Sequence, residues 1–237
     1  MKFKGFEKNS LIEWPGKVVS VAYTGRCNFR CPFCQNSDLV TRPEDLPDID
    51  EEEVLDHLES KKEWLDGLMI TGGEPTLHSS LFSFSKKVKN LDLLFGIETN
   101  GTNYKFLKRL LEKNQVDRIS MDIKAPLKWD KYKEVIKIED KELFENILKS
   151  IDLIKKSDIS YEFRTTVVPK LLDKEDLEKI GEEIEESDHF YLQQYSPENT
   201  LNEEFKNIEP YSEEKLKSIQ KTLKEKYNLS PCKIRNL

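Results

Sequence analysis

The chain has 237 residues, of which 37% are hydrophobic and 35% are charged, and its formal net charge is −7. A chain of this length forms one domain by default, so we expect a single domain over residues 1–237. No apolar run approaches membrane-spanning length, and residues 1–6 lack the apolar stretch of a signal peptide. The negative charge argues against broad binding to nucleic acid or anionic membranes. We therefore expect a cytoplasmic protein, in a compartment where thiols stay reduced.

Short apolar runs typical of buried strands alternate along the chain with helical patterns. The predicted strands cover residues 18–23, 68–71, 93–98, 118–124, 161–168 and 190–194. The predicted helices cover residues 50–65, 79–89, 103–113, 143–154 and 173–186, with a closing helix at about 212–228.

Strict alternation of strands and helices predicts an α/β fold with a parallel sheet and right-handed crossovers. Six units are too few to close an eight-unit barrel, which leaves an open (β/α)6 partial TIM barrel or a doubly wound sheet. We take the open partial barrel, with its core at about 17–197, as the predicted architecture.

Polar side chains follow the predicted strands at the points where the strands end. They are the cysteines after the first strand, residues 72–75 after the second, residues 98–101 after the third, Asp122 and Lys124 on the fourth, Arg164 and Thr166 on the fifth, and Gln193 and Gln194 on the sixth. The carboxyl ends of parallel strands share one rim, where ligands bind in both candidate folds. We therefore expect these side chains to face one cavity.

Three cysteines, Cys27, Cys31 and Cys34, have the spacing C-x3-C-x2-C. A four-iron cluster normally takes four cysteine ligands, so three would leave one iron with an open position. An open iron can bind a substrate or cofactor and pass it an electron. The spacing therefore favours a reactive cluster over one that only transfers electrons between proteins.

A structural zinc site is the alternative interpretation of these cysteines. Such sites usually combine a C-x2-C pair with a second pair or with histidines farther along the chain. Cys232, His57, His78 or His189 could complete the ligand set, although none of them has the usual spacing. A second four-cysteine cluster cannot be built, because Cys232 is the only further cysteine. We interpret Cys232 as a free thiol.

The cysteine spacing after a first strand, with Gly-Gly-Glu-Pro at residues 72–75 after a second, resembles the radical S-adenosylmethionine (SAM) superfamily. The resemblance implies one [4Fe-4S] cluster, whose open iron binds SAM through its amino and carboxylate groups. It also implies cleavage of SAM to methionine and a 5′-deoxyadenosyl radical, so the chain would be a radical SAM oxidoreductase.

Residues 11–17, 23–36, 121–126 and 164–169 resemble the activating enzymes of glycyl-radical enzymes, in particular the activating protein of anaerobic ribonucleoside-triphosphate reductase. The similarity spans roughly residues 5–197 on the frame of alternating units. It implies that the chain removes a hydrogen atom from a glycine Cα of a partner protein. The simplest choice of partner is that anaerobic ribonucleoside-triphosphate reductase. An external low-potential electron donor such as flavodoxin or ferredoxin is also implied.

The same resemblance assigns roles to individual residues. It places Cys27, Cys31 and Cys34 on the cluster, Phe33 against adenine, and Gly72, Gly73 and Glu74 at the amino end of SAM. Glu98 and Asn100 would lie at SAM or a nearby cation. Asp122 and Lys124 would lie at the ribose and carboxylate of SAM, and Arg164 near the carboxylate. Gln35 and Glu98 differ from the His and Asp that many of these activators carry.

Each assignment beyond the cysteines has an alternative that needs no ligand. The alternatives are a glycine turn at residues 72–73, a helix-end charge at Glu74, and ordinary ion pairs for Asp122 with Lys124 and for Arg164 with Glu162. The function also has an alternative: a radical SAM enzyme acting on a small molecule or tRNA, such as a 7-carboxy-7-deazaguanine synthase-like enzyme. The net negative charge weakens the tRNA branch of that alternative.

Overall fold

The computed structural model of the chain describes residues 1–185, 187, 189–229 and 231–236. Its strands are β1 (Lys2–Phe3), β2 (Gly5–Ser10), β3 (Val19–Thr24), β4 (Ile49–Asp50), β5 (Gly67–Gly72), β6 (Leu94–Thr99), β7 (Arg118–Asp122), β8 (Ser160–Val167), β9 (Phe190–Gln194) and β10 (Cys232–Arg235). Its helices are α1 (Ser37–Thr41), α2 (Glu51–Lys61), α3 (Leu81–Lys89), α4 (Tyr104–Glu112), α5 (Trp129–Ile136), α6 (Lys141–Lys155), α7 (Lys174–Glu183) and α8 (Glu213–Tyr227).

The main sheet has eight strands in the order β10-β9-β8-β7-β6-β5-β3-β2, and only the β2–β3 pair is antiparallel. No ladder joins the edge strands β10 and β2 within the described ranges, so the sheet stays open. This arrangement confirms the predicted α/β class and its mostly parallel, unclosed sheet. None of the helices in the described part of the chain is long and apolar enough to cross a membrane.

All six predicted strand–helix units are present, with ends that differ from the prediction by up to several residues. The predictions missed β1, β2, β4, α1, α5 and β10. The edge strand β2 reads GFEKNS and exposes three of its six residues, so it lacks the apolar pattern of the inner strands. The strand β10 has only four residues, and its pairing with β9 is the feature that defines it.

Alternate residues on the strands face the helices and form the main hydrophobic core. On β7, Ile119 and Met121 join that core, together with Phe163 on β8 and Phe190 on β9. Cys232 on β10 is also buried there, level with Phe190 at the amino end of β9. Burial of these side chains is the main source of the stability of the fold.

The opposite face of the sheet carries a smaller apolar cluster. Trp14, from the β2–β3 connection, packs there with Val19, Val21 and Met69. The guanidinium of Arg118 lies over the Trp14 ring, 5.8 Å from its centroid. A charged side chain at the amino end of β7 thus packs on this smaller apolar cluster.

The same face contains a buried ion cluster centred on Glu162 of β8. Its carboxylate accepts hydrogen bonds from Arg118 of β7 and, at 2.8 and 3.0 Å, from Arg235 of β10. Arg235 also stacks over the ring of Tyr191, 3.9 Å from the centroid. This cluster ties β10 to the sheet and replaces the predicted alternative in which Glu162 pairs with Arg164.

Candidate active site

The loops at the carboxyl ends of the parallel strands enclose a cavity of about 350 Å³. It is lined by every residue that the sequence assigned to a site, namely Cys27, Cys31, Phe33, Cys34, Gly72, Gly73, Glu74, Glu98, Asn100, Asp122, Lys124 and Arg164. These residues come from separate connections of the fold and meet at one rim, as expected for parallel strands.

The loop that carries the cysteines connects β3 to α1 and is held by hydrogen bonds to its neighbours. The side-chain amide of Asn100 donates to Asn28 Oδ1 at 2.8 Å, and the side-chain amide of Asn28 donates to Thr102 Oγ1 at 2.8 Å. At the other end of the loop, Asn36 donates to the carbonyl of Gly72 at 3.0 Å. The loop is therefore fixed to the ends of β5 and β6.

The three thiols are free; Cys31 is buried, and Cys27 and Cys34 are half-buried. Burial raises the pKa of Cys27 to about 11 and that of Cys31 to about 12, and burial also raises the pKa of Cys34. A bound metal cluster stabilises thiolates against such a penalty, because its positive charge is adjacent to the sulfur atoms. Three thiols on one short loop, all lining one cavity, fit a [4Fe-4S] cluster with one iron open.

The remaining cysteine and the histidines lie away from this set. Cys232 and His189 lie at the amino ends of β10 and β9, opposite the rim. His57 packs its ring against Phe6, and His78 Nε2 lies 2.9 Å from the carbonyl oxygen of Gly25. Among the described residues, no three His, Cys, Asp or Glu side chains are grouped to hold a single metal ion. None of these four side chains lines the cavity that holds the three thiols.

The two glycines after β5 allow close packing against the cysteine loop. Gly72 has a φ of +107°, and a Cβ on Gly73 would lie 1.9 Å from the carbonyl oxygen of Arg26. Only glycine tolerates both conditions at low cost. The glycine-turn alternative thus has a structural basis, while both residues also line the cavity.

Glu74 is buried and its carboxylate is bound by the protein itself. Oε1 accepts hydrogen bonds from the Thr76 amide at 3.1 Å, the Thr76 hydroxyl at 2.5 Å and the Thr99 hydroxyl at 2.8 Å. Oε2 accepts from the Asn100 amide at 2.7 Å. Burial raises the pKa of Glu74, although these hydrogen bonds act in the opposite direction. Glu74 thus links the β5 loop to the β6 loop.

We expect Glu74→Ala to weaken SAM binding by about tenfold while the iron content stays unchanged. The substitution leaves the Asn100 amide and the hydroxyls of Thr76 and Thr99 without their acceptor, which costs about 2–4 kcal/mol of stability and loosens the rim. Glu74→Gln, which keeps one acceptor oxygen, is the matched control. Calorimetric titration of SAM into the reconstituted protein measures the affinity, and an unchanged affinity would count against this role.

A chain of ion pairs crosses the cavity between three strands. Arg164 of β8 pairs with Glu98 of β6 at 2.5 Å and with Asp122 of β7 at 3.1 Å, and Asp122 also pairs with Lys124 at 2.8 Å. Thr71 donates a further hydrogen bond to Glu98 at 2.6 Å. Burial opposes the ionised form of Glu98, but Arg164 outweighs it and holds the pKa of Glu98 below its usual value.

Asp122 is held in the same way. Burial disfavours its charge, whereas Lys124 and then Arg164 stabilise it, so its pKa also lies below the usual value. The predicted alternative of an Asp122–Lys124 ion pair is therefore present, within a larger chain that lines the cavity.

Glu13 lines the cavity but was not among the predicted site residues. It lies in the β2–β3 connection, between the exposed Ile12 and the buried Trp14. Burial, followed by the nearby charge of Glu98, raises the pKa of Glu13 to about 7. The sequence around Glu13 contributed to the family resemblance, but nothing in its local pattern indicates that the carboxyl points into a cavity.

We expect Glu13→Gln to stabilise the protein more at pH 8 than at pH 5. The folded-state pKa of about 7 exceeds the ordinary value of 4.5, so ionisation of Glu13 with rising pH works against folding. The gain is about 1–2 kcal/mol at pH 8, after an allowance for the partial exposure of Glu13. Thermal unfolding at both pH values measures it, with Glu44→Gln as an exposed control. An equal effect at both pH values would contradict the raised pKa.

Further lining residues were missed because their positions depend on tertiary contacts. They are Tyr23, Phe29, Gln35, Asn36, Val40, Thr71 and Asn236. Thr99, Thr166 and Gln193 line the cavity as expected from the strand ends. Gln194 was expected at the same rim, but its amide donates instead to the carbonyl of Tyr211 at 2.7 Å.

Comparison with known proteins shows the family to which the chain belongs. The model of the radical SAM superfamily matches residues 21–186, more than two thirds of the chain. A Methanocaldococcus jannaschii protein, provisionally named a glycyl-radical enzyme activating enzyme, is 34% identical over 91% of this chain and 88% of its own length. A second protein of that organism, named in the same way, is 30% identical over 73% of this chain and 64% of its own length.

Among solved structures, Streptococcus suis SuiB bound to S-adenosylmethionine superimposes with a TM-score of 0.66 at 15% identity. The match covers 91% of this chain and 49% of SuiB, so the chain spans about half the length of that protein. At this identity the likeness supports the fold alone.

Proposed function

Because the chain belongs to the radical SAM superfamily, we propose that it is an activating enzyme that takes a hydrogen atom from a glycine of a partner glycyl-radical enzyme. Members of this superfamily catalyse radical chemistry with SAM and a [4Fe-4S] cluster. When bound, these cofactors supply an electron that splits SAM into methionine and a 5′-deoxyadenosyl radical. The hydrogen atom leaves the glycine Cα, ends on the 5′ carbon of 5′-deoxyadenosine, and leaves one unpaired electron on the glycine.

In this proposal the residues of the rim hold and orient the cofactors. The three cysteines ligate the cluster, and the backbone at residues 72–73 approaches the amino end of SAM. Phe33 is buried in the cavity wall, where its ring can pack against adenine. Asp122 and Lys124 would contact the ribose and the carboxylate, and Arg164 would lie near the carboxylate. Glu98 and Asn100 would contact SAM or a nearby cation; support for these roles comes from the common cavity.

The charge of the cavity lining is the observation that indicates the class of substrate. Four carboxyl groups line it, from Glu13, Glu74, Glu98 and Asp122. The lining cations, Lys124 and Arg164, both pair with carboxylates. Within the described residues, no lining cation is left to bind phosphate groups. A cavity with this charge suits an uncharged peptide segment better than a polyanion such as tRNA.

The partner that we propose first is anaerobic ribonucleoside-triphosphate reductase, on the basis of the sequence resemblance at residues 11–17 and 23–36. A low-potential carrier such as flavodoxin or ferredoxin would deliver the electron. We also propose a cytoplasmic location, because reduced thiols and cluster assembly require a reducing compartment.

The test uses the reduced, reconstituted protein, SAM and anaerobic ribonucleoside-triphosphate reductase labelled with [2,2-²H₂]glycine. We expect a glycyl-radical signal in the electron paramagnetic resonance (EPR) spectrum and deuterium in the 5′-deoxyadenosine. A signal in a different glycyl-radical enzyme would change the partner alone. If no glycyl-radical enzyme gives a signal and a pterin is converted instead, the small-molecule alternative replaces this proposal.

A further inference from the structure

One side of the cavity is formed by neutral side chains from β8, from β9 and from the residue that follows β10. Thr166 of β8 lies in register with Gln193 of β9, and Gln193 lies in register with Arg235 of β10, directly before Asn236. All three neutral side chains, those of Thr166, Gln193 and Asn236, line the cavity. We call these three residues the neutral wall.

The neutral wall contrasts with the rest of the lining in its hydrogen bonding. The cavity residues Glu74, Glu98, Asp122 and Arg164 all hold protein partners. Within the described chain, the side chains of the neutral wall make no hydrogen bond to protein. They therefore remain available to a ligand inside the cavity.

The position of Asn236 is fixed by the strand that precedes it. Arg235 binds the buried carboxylate of Glu162 with two hydrogen bonds, and Glu162 is shared with Arg118. Asn236 itself has a φ of +60°, a left-handed conformation that asparagine tolerates better than most residues. Because Arg235 is fixed in this way, the residue that follows β10 lies at the cavity.

We propose that the neutral wall binds the main chain of the partner segment that carries the reacting glycine; this inference rests on the proposed function. The amides of Gln193 and Asn236 each offer donors and an acceptor, and the Thr166 hydroxyl offers both. A peptide main chain presents the same two kinds of group without charge. The wall would thus hold the glycine Cα in place without selecting particular side chains.

The dimensions of the wall match a short extended segment. Neighbouring strands lie about 4.8 Å apart, so three adjacent strands span about 10 Å. An extended chain advances about 3.3 Å per residue, so this span covers about three residues. A glycine with one neighbour on each side has that length.

The test measures how variants of the wall bind and use peptides. The probes are capped heptapeptides with a central [2,2-²H₂]glycine and uncharged flanking residues. They are added to the reconstituted, SAM-loaded protein, which is chemically reduced for the transfer assay and left unreduced for calorimetry. We expect Gln193→Ala and Asn236→Ala each to raise the KM for deuterium transfer about fivefold, and the double variant about twentyfold, with equal weakening of peptide binding by calorimetry. Iron content and the effect of SAM on the EPR spectrum report whether the cofactor site is intact.

Gln194→Ala and Lys233→Ala are the matched controls, because Gln194 lies beside Gln193 on β9, Lys233 lies on β10 shortly before Asn236, and neither lines the cavity. We expect both controls to keep the wild-type KM. A double variant within twofold of wild type in both KM and peptide affinity overturns the role of the neutral wall, as does an equal loss in the controls. Absence of deuterium transfer by the wild type, with peptides and labelled reductase alike, overturns the proposed function itself.

Discussion

Replacing Cys31 by alanine is expected to abolish assembly of the four-iron cluster and, with it, cleavage of SAM. Cys31 is buried at the centre of the cysteine loop, and two remaining thiolates cannot hold a cluster that already lacks a fourth protein ligand. Iron should fall from about four atoms per chain to a trace, and SAM cleavage by at least about a hundredfold. Iron and sulfide analysis of the reconstituted variant measures the first effect directly.

Cys232→Ala is the matched control for that prediction. Cys232 is buried in the main core at the amino end of the sheet, away from the cavity. We expect this variant to keep the full iron content. If the Cys31 variant also kept four irons, the assignment of the cysteine loop as the ligand set would be wrong.

Replacing Arg164 by alanine is expected to cost about 3–5 kcal/mol of folding stability at neutral pH. The substitution leaves the buried carboxylates of Glu98 and Asp122 without the guanidinium that bridges them, and an unpaired buried charge carries a penalty of this size. Arg164→Lys keeps the charge but loses the planar fork, so its loss should be smaller. Denaturant unfolding curves measure both values.

The cost of Arg164→Ala should depend on pH. The pKa values of Glu98 and Asp122 lie below their usual values in the wild type, so the stability that they contribute is present at neutral pH and declines in acid. In the variant these carboxyls can take up protons, so the difference between the two proteins should shrink between pH 7 and pH 4. A constant difference over that range would show that the lost stability comes from packing and not from charge.

The sequence was sufficient for the main features of the fold because these depend on local patterns. Apolar strand segments and helical stripes alternate, and each strand ends at a polar cluster, so the parallel sheet and its rim follow from general rules. The spacing of the three cysteines and their place after β3 were enough to predict that they line one cavity. All twelve predicted site residues line the same cavity.

Other features depend on long-range contacts that no local pattern indicates. The hydrogen bonds that the Glu74 carboxylate accepts from Thr76, Thr99 and Asn100 are one example. The sequence also does not show which buried charges form pairs. Glu162 lies two residues from Arg164 but pairs with Arg118 and Arg235.

The strand near the end of the chain, β10, also could not be predicted from a local pattern. Residues 232–236 contain one apolar residue between charged ones after Cys232, a pattern too short to predict a strand. Pairing with β9 and the contact with Glu162 create β10, and β10 places Asn236 at the cavity. The neutral wall therefore becomes visible only in the folded protein.

Whether the cysteine loop holds a cluster with an open iron is decided by EPR spectroscopy of the anaerobically reconstituted, reduced protein, with and without SAM. We expect the signal of a reduced four-iron cluster and a change in that signal when SAM is added, because SAM would bind the iron that lacks a cysteine ligand. A protein that holds stoichiometric zinc and no cluster, or a cluster signal that SAM leaves unchanged, would contradict this expectation.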